Sequence, residues 1–197
     1  MRILLIGATG TIGSAVATAL STHDVVLASR AKAHERVDIA DVESIRALFA
    51  RVGKVDAIIS AAGSAAWKPL ADLSDADFSF SLANKLMGQV NVIRQGLTAV
   101  RDGGSITVTS GYLAQHPMPS SAAVSLVNAG LEGFVRAAAL EAPRQIRVNV
   151  VSPPWVSETL AAMGQDPSHG IPAAAVARSF VESVEGTASG AVIAAKA

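Results

Sequence analysis

The chain of 197 residues contains no cysteine. Disulfides, thiolate nucleophiles and cysteine-ligated metals are thereby excluded. Charged residues amount to only 16%, with Lys+Arg and Asp+Glu both at 16. With no basic face or arginine run to grip a phosphate backbone, nucleic acid is not an expected partner. No block of like charge forms an acidic tail. His23, His34, His116 and His169 are scattered without ligand spacing, so no metal site is expected. The first apolar run, Arg2–Gly7, is too short for a signal peptide or a membrane span and ends in a turn. A cytoplasmic location with no membrane partner is the expectation. Aromatic residues make up 4%, which leaves an aliphatic core.

What is present is apolar: 50% of the residues are hydrophobic, chiefly Ala, Val, Ile and Leu. That balance argues against disorder and suits parallel strands covered on both faces. Short apolar runs at Ile3–Ile6, Val25–Ala28, Val55–Ser60, Ser105–Ser110, Arg147–Ser152 and Ala191–Ala194 read as buried strands. Between them lie stretches of helical period. Thr11–Ser21 places Ile12, Ala15, Val16, Ala19 and Leu20 on one face; Val42–Val52 opens after Asp41, an N-cap residue; Asp75–Val100 and Ser120–Glu141 are longer. Alternating strands and helices predict a three-layer α/β/α domain around a doubly wound parallel sheet of Rossmann type, one domain over residues 1–197. The connection Ala31–Val37 is too short for a crossover helix, which needs about ten residues or more. A short strand near Val37–Ile39 is expected there instead.

Gly7-Ala-Thr-Gly10-Thr-Ile-Gly13 follows a strand and opens a helix, the context that makes a glycine pattern informative. Gly7 allows the tight turn, Gly10 lets the backbone approach a pyrophosphate, and Gly13 lets the helix pack closely on the sheet. The free N–H groups of the first helical turn then face the phosphates. The second strand ends in Ser29-Arg30 rather than in an acidic residue. A hydroxyl donor and a cation suit a ribose 2′-phosphate, so NADP(H) is expected ahead of NAD(H). Arg30 also reads as an ordinary surface arginine.

From these residues onward the chain resembles the short-chain dehydrogenase/reductase family over nearly its whole length. Gly7–Gly13 looks like the family's cofactor turn, and Val37-Asp38-Ile39 like its adenine-contacting Asp motif. Ser60-Ala-Ala-Gly63 is similar to its Asn-Asn-Ala-Gly segment. Ile106–Ser110 resembles the strand that ends in its catalytic Ser, and Asn128–Glu141 its active-site helix. Arg147–Pro154 resembles the strand beside the nicotinamide. The resemblance implies cofactor contacts from Gly7, Thr9, Gly10, Thr11, Ile12 and Gly13, from Ser29 and Arg30, and from Asp38 and Ile39. It implies further contacts from Ala61, Ala62 and Gly63, and from Lys85, Thr109, Pro153, Trp155 and Val156.

The pattern breaks at the chemistry. The family's catalytic Tyr and Lys, four residues apart, fall on Val124 and Asn128, and the only tyrosine is Tyr112. Tyr112 and His116 share the spacing and form a candidate shifted catalytic pair, with Tyr112 as its proton-bearing member; against it, Pro117 and Pro119 make the segment read as a loop that does not place them on one face. Lys85, three residues before Gly88, takes a site where the family carries Asn. It is expected to assume the ribose- or water-organising role of the missing lysine, with a solvated helix lysine as the other reading. Ser110 is expected to polarise a carbonyl, or else to be a satisfied strand-end serine. Pro153-Pro154 replaces the family's Pro-Gly, and Thr159 lies one residue beyond the spacing of its carboxamide-binding threonine. Residues 157–172 read as a short substrate lid with little helical period.

The expected activity is NADP(H)-dependent oxidation or reduction of a small alcohol or carbonyl. The competing reading is a non-catalytic NADP(H)-binding sensor or regulatory protein. A third is a structural role. By resemblance, a homodimer or homotetramer would form through the helices around 83–100 and 120–140.

Overall fold

The structure, a computed structural model, describes residues 1–197 throughout. β1 (Arg2–Ile6) leads into α1 (Thr11–Ala19). β2 (Asp24–Ser29), the two-residue β3 (Glu35–Arg36) and α2 (Val42–Val52) follow. β4 (Val55–Ser60) precedes α3 (Asp75–Ser81), a π-helical turn (Leu82–Met87) and α4 (Gly88–Gly96). Then come β5 (Val100–Thr109), α5 (Ala122–Glu141), β6 (Arg147–Ser152), α6 (Ser157–Ala162), α7 (Ala173–Glu185) and β7 (Val192–Ala194). All strands are parallel and form one sheet in the order β3-β2-β1-β4-β5-β6-β7. This is the Rossmann-type α/β architecture, with its switch of winding direction between β1 and β4. Ligands of such sheets enter at the carboxyl ends of the strands beside that switch.

Side chains alternate across each strand, and β1 shows the consequence. Leu4 and Ile6 join a core under α2, α4 and α5, with Ile45, Val92, Leu131 and Val135. Ile3 and Leu5 face the opposite layer, where Val16 of α1 packs with Val176 and Phe180 of α7. A strand buried on both faces has no use for polar alternation, hence the continuous apolar runs. α5 is long and apolar enough in composition to cross a membrane. In this fold one of its faces lies on the sheet and buries Asn128 and Glu132.

Several elements differ from expectation. The predicted helix Asp75–Val100 is divided: α3 passes into the π-helical turn, α4 ends at Gly96, and Val100 already belongs to β5. Helical period persists through a π turn, so spacing could not mark the division. The short strand lies at Glu35–Arg36, two residues before the expected Val37–Ile39, which instead bury Val37 and Ile39 beneath the groove. As anticipated, no helix joins β2 to β3. Residues 157–172 contain α6 and a 3-10 turn at Pro167–His169, pinned by a bridge between Val156 and Ile171. α7 and its buried Phe180 had no counterpart among the predicted helices.

Candidate functional site

At the carboxyl ends of β1 and β4 the chain forms a groove in two halves that meet at Ala62 and Gly63. One half, about 330 Å³, is bounded by Gly7, Ser29, Arg30, Asp38 and Ile39. The other, about 240 Å³, is lined by Ile12, Ala61, Lys85, Thr109, Ser110 and Tyr112, with Val124, Asn128, Pro153, Trp155, Val156 and Thr159.

The glycine turn separates the halves. Gly7 has φ of 87°, and a Cβ there would stand 2.6 Å from the Ala61 carbonyl oxygen. A methyl at Gly13 would overlap the carbonyl of Gly7, so both positions are closed by the protein itself. Gly10 is different: its nearest neighbour would be 3.5 Å away. A Cβ there would make only ordinary contact with the Gly7 carbonyl, so the fold itself does not demand glycine at this exposed position. α1 has no side-chain cap and no acidic residue in its first turn, so its leading N–H groups remain available to an anion. Thr9 and Gly10 are exposed, and Thr11 borders a separate depression with Ser14 and Glu158. Any contribution of Thr11 to the groove would come from its backbone.

In the first half, Ser29 is buried and its Oγ accepts from the backbone N–H of Lys32 (3.0 Å) and Ala33 (2.8 Å). Its own proton is left free to donate. Arg30 is exposed at the rim. The Asp38 carboxylate accepts from Ala40 N–H at 3.0 Å, and Ile39 packs over Gly88 at the start of α4.

In the second half, Lys85 rises from the π-helical turn. Its Nζ donates to the Ser110 carbonyl at 3.3 Å, and burial lowers its pKa from 10.5 to about 8. The sequence pairing of Lys85 with the site thus has a counterpart in space. Asn128 is 2% exposed; its Nδ2 reaches the Gly111 carbonyl at 3.5 Å, while Oδ1 has no partner. An orphaned buried acceptor beside a cleft is a polar group awaiting a donor.

Ser110 departs from expectation. Its hydroxyl donates to Oε1 of Glu132 at 2.9 Å, and Glu132 is itself 2% exposed. Gln115 donates to the other carboxylate oxygen at 3.2 Å. The Ser110 proton therefore points away from the cleft, and only its lone pairs are free. Thr109 is committed in the same way, donating to the Ser60 carbonyl at 2.6 Å. Tyr112 and His116 do come together: a 3-10 turn places their rings 4.1 Å apart and 19° from parallel. The prolines end that turn rather than prevent it. Tyr112 stands 48% exposed at the mouth. Trp155 meets Trp67 edge-on at 5.6 Å.

Three supporting residues, Gln89, Glu132 and Asn84, have roles that the sequence did not reveal. Gln89 clamps the end of β5, donating to Thr109 O at 2.7 Å and accepting from Thr109 N at 2.8 Å. Glu132 holds Ser110, and Asn84 accepts from Ser64 N at 2.8 Å. Gln89 and Glu132 lie on the inward faces of their helices. That polar residues on a core-facing stripe meet strand-end partners is a tertiary fact that spacing does not signal.

A family model described as enoyl-(acyl carrier protein) reductase matches residues 14–194. The chain belongs to the short-chain dehydrogenase/reductase family. Among solved structures, this dehydrogenase/reductase chain is similar to protein lin1944 of Listeria innocua. The two are 38% identical with a TM-score of 0.95, and the match covers 98% of each chain. It also resembles a small-chain dehydrogenase in complex with NADPH, 25% identical with a TM-score of 0.86, covering 100% of this chain and 96% of that one. A 1-cyclohexenylcarbonyl-CoA reductase of Streptomyces collinus is 31% identical over 59% of this chain and 44% of its own length. The chain spans about half the length of the curated relatives it matches, 44–56% of each.

Proposed function

We propose that the protein is an NADP(H)-dependent oxidoreductase acting on a small carbonyl or alcohol. The observation that carries this reading is the two-part groove beside an uncapped helix N-terminus, at a glycine turn where the fold itself does not demand glycine at position 10. The residues present fit a dinucleotide. Backbone N–H groups of α1 would hold the pyrophosphate. Asp38 and Ile39 flank the adenine side. Ser29, with its free proton, and Arg30, with its free charge, suit a 2′-phosphate. Lys85 and Asn128 line the other half, where they can hold the ribose hydroxyls. The reduced cofactor supplies a hydride. The relative that binds NADPH supports the same choice of dinucleotide.

A second reading, a non-catalytic NADP(H)-binding sensor, is favoured by one observation. The Ser110 proton is directed to Glu132 and the cleft wall at Val124 is aliphatic. One experiment separates the two. The protein is titrated with NADPH and NADH by calorimetry, and reduced-cofactor absorbance is then followed with ketones, aldehydes and quinones. Saturable NADPH binding with turnover of at least one class supports the enzyme. Binding without turnover across the panel supports the sensor, and absence of binding removes both. Replacing Arg30 by alanine is expected to weaken NADPH about 10- to 100-fold, the worth of a charge-assisted hydrogen bond, and NADH much less.

A further inference from the structure

We infer that Lys85 is the catalytic acid of this site, the group that hands a proton to the substrate's carbonyl oxygen on reduction and takes it back on oxidation. This rests on the oxidoreductase reading above, in which no residue yet supplies the proton.

Hydride addition to a carbonyl leaves negative charge on oxygen, and a proton donor must stand beside that oxygen as the charge develops. Lys85 and Tyr112 are the only titratable side chains lining this half of the groove. Tyr112 is half exposed at the mouth, with its ring against His116. The Ser110 and Thr109 hydroxyls are committed to Glu132 and to the Ser60 carbonyl.

Lys85 is held from both ends. The missing side chain at Gly63, where φ is 127°, makes room for its stem: a Cβ there would stand 3.2 Å from Lys85 Cα and 3.3 Å from its Cγ. At the other end Nζ donates to the Ser110 carbonyl at 3.3 Å. An ammonium has three protons to donate, so one anchors the group and the others are left for the cleft. The anchor is neutral. A carboxylate in its place would hold the proton by charge, whereas a carbonyl also accepts from the amine that remains once the proton has gone. No carboxylate forms an ion pair with Lys85. Glu132 on α5 lies behind Ser110, bound to its hydroxyl and to Gln115, with Arg136 at 3.7 Å. Asp77 on α3 pairs with Lys68 at 2.8 Å, and Asp38 lines the other half. Ala61–Gly63 carry no charge. Burial is accordingly the one influence on the amine, and it brings the pKa to about 8, near the pH at which a general acid works best.

On reduction the cofactor's hydride forms the new C–H bond and the carbonyl π pair moves to oxygen. That oxygen takes a proton from Nζ, an N–H bond breaking as the O–H bond forms, and solvent restores the ammonium. On oxidation each change reverses, and the neutral amine accepts the alcohol's proton.

The test uses ethyl acetoacetate with NADPH, and ethyl 3-hydroxybutyrate with NADP⁺ for the reverse direction. Reduction kcat is expected to fall as pH rises through about 8, where the ammonium is lost, and oxidation kcat to rise over the same range. Lys85→Arg keeps the charge but cannot release it. It is expected to bind NADPH within about threefold of wild type in calorimetry and to lose at least about 100-fold in kcat. The chain has no cysteine, so Lys85→Cys carries the only thiol. Alkylating it with 2-bromoethylamine rebuilds an amine of lysine length there and should raise kcat at least about tenfold over the unalkylated variant. Without cofactor, NMR of ¹⁵N-lysine-labelled protein should show the Lys85 Nζ, assigned by its loss in Lys85→Met, titrating near pH 8. Titration above about pH 10, or Lys85→Arg turnover within about tenfold of wild type, overturns the inference and leaves the oxidoreductase reading standing. So does a Tyr112→Phe loss of about 100-fold with Lys85→Arg unimpaired. NADPH binding without reduction of the keto ester overturns the inference but not the dinucleotide site, and absence of NADPH binding overturns both.

Discussion

Lys85 combines a charge with a setting that opposes it. Burial holds its pKa near 8, so the ammonium present at pH 7 is lost as pH rises through that value. If Lys85 grips an anionic dinucleotide, NADPH affinity falls between pH 7 and 9, and Lys85→Met binds weakly with a flatter profile. Calorimetric titration at several pH values checks this. The free protein should show the opposite trend in stability. An unfolded lysine keeps its proton to about pH 10.4, whereas the folded one releases it near 8. Between those values the unfolded state binds more protons, and stability rises with pH. Thermal melts of the wild type from pH 7.5 to 10 should carry a rise that Lys85→Met lacks. At Gly13 the expected effect is steric: Gly13→Ala drives a methyl into the Gly7 carbonyl. A loss of about 1–3 kcal/mol, typical of overpacking, is expected by denaturant unfolding, together with loss of NADPH binding.

Among the elements, α2 was legible because Asp41 caps it and Ile45, Leu48 and Phe49 return at helical spacing. α7 was not. It starts after Pro172 with no side-chain cap, and the run Ala173–Ala177 is small and apolar at nearly every position, which blurs its periodic face. Yet α7 closes one whole layer of the core, and Phe180 is fully buried there. Phe180→Ala is expected to cost about 3–5 kcal/mol by chemical denaturation, the range for a buried aromatic. A cost below about 1 kcal/mol would mean that α7 is not an integral layer. The π-helical turn explains another misreading. By widening the helix at Leu82–Met87 it gives Lys85 its position in the cleft, while the sequence continues in ordinary helical rhythm.

For the whole molecule, parallel topology and the glycine turn were readable because each depends on local spacing and on the length of connections. The wiring behind the cleft was not. That Ser110 is held by Glu132, and Thr109 by Gln89, depends on where α5 and α4 cross the sheet ends. α5 leaves Leu126 and Leu140 exposed at 48% and 89%, which suits an isologous contact between two copies through α5 and the stretch formed by the π-helical turn and α4. Sedimentation should find twice the chain mass, with Leu126→Glu shifting it toward the monomer. A monomeric wild type at micromolar concentration would remove this proposal.

The segment that follows β2 has a consequence of its own. β3 pairs with its neighbour over two residues only, and Arg30 lies exposed outside either core. On the proposed reading, discrimination between phosphorylated and unphosphorylated adenosine riboses falls to Arg30, an exposed side chain outside both cores. Retargeting the protein from one coenzyme pool to another should be a matter of surface editing, open to laboratory selection without compensating repairs inside the fold.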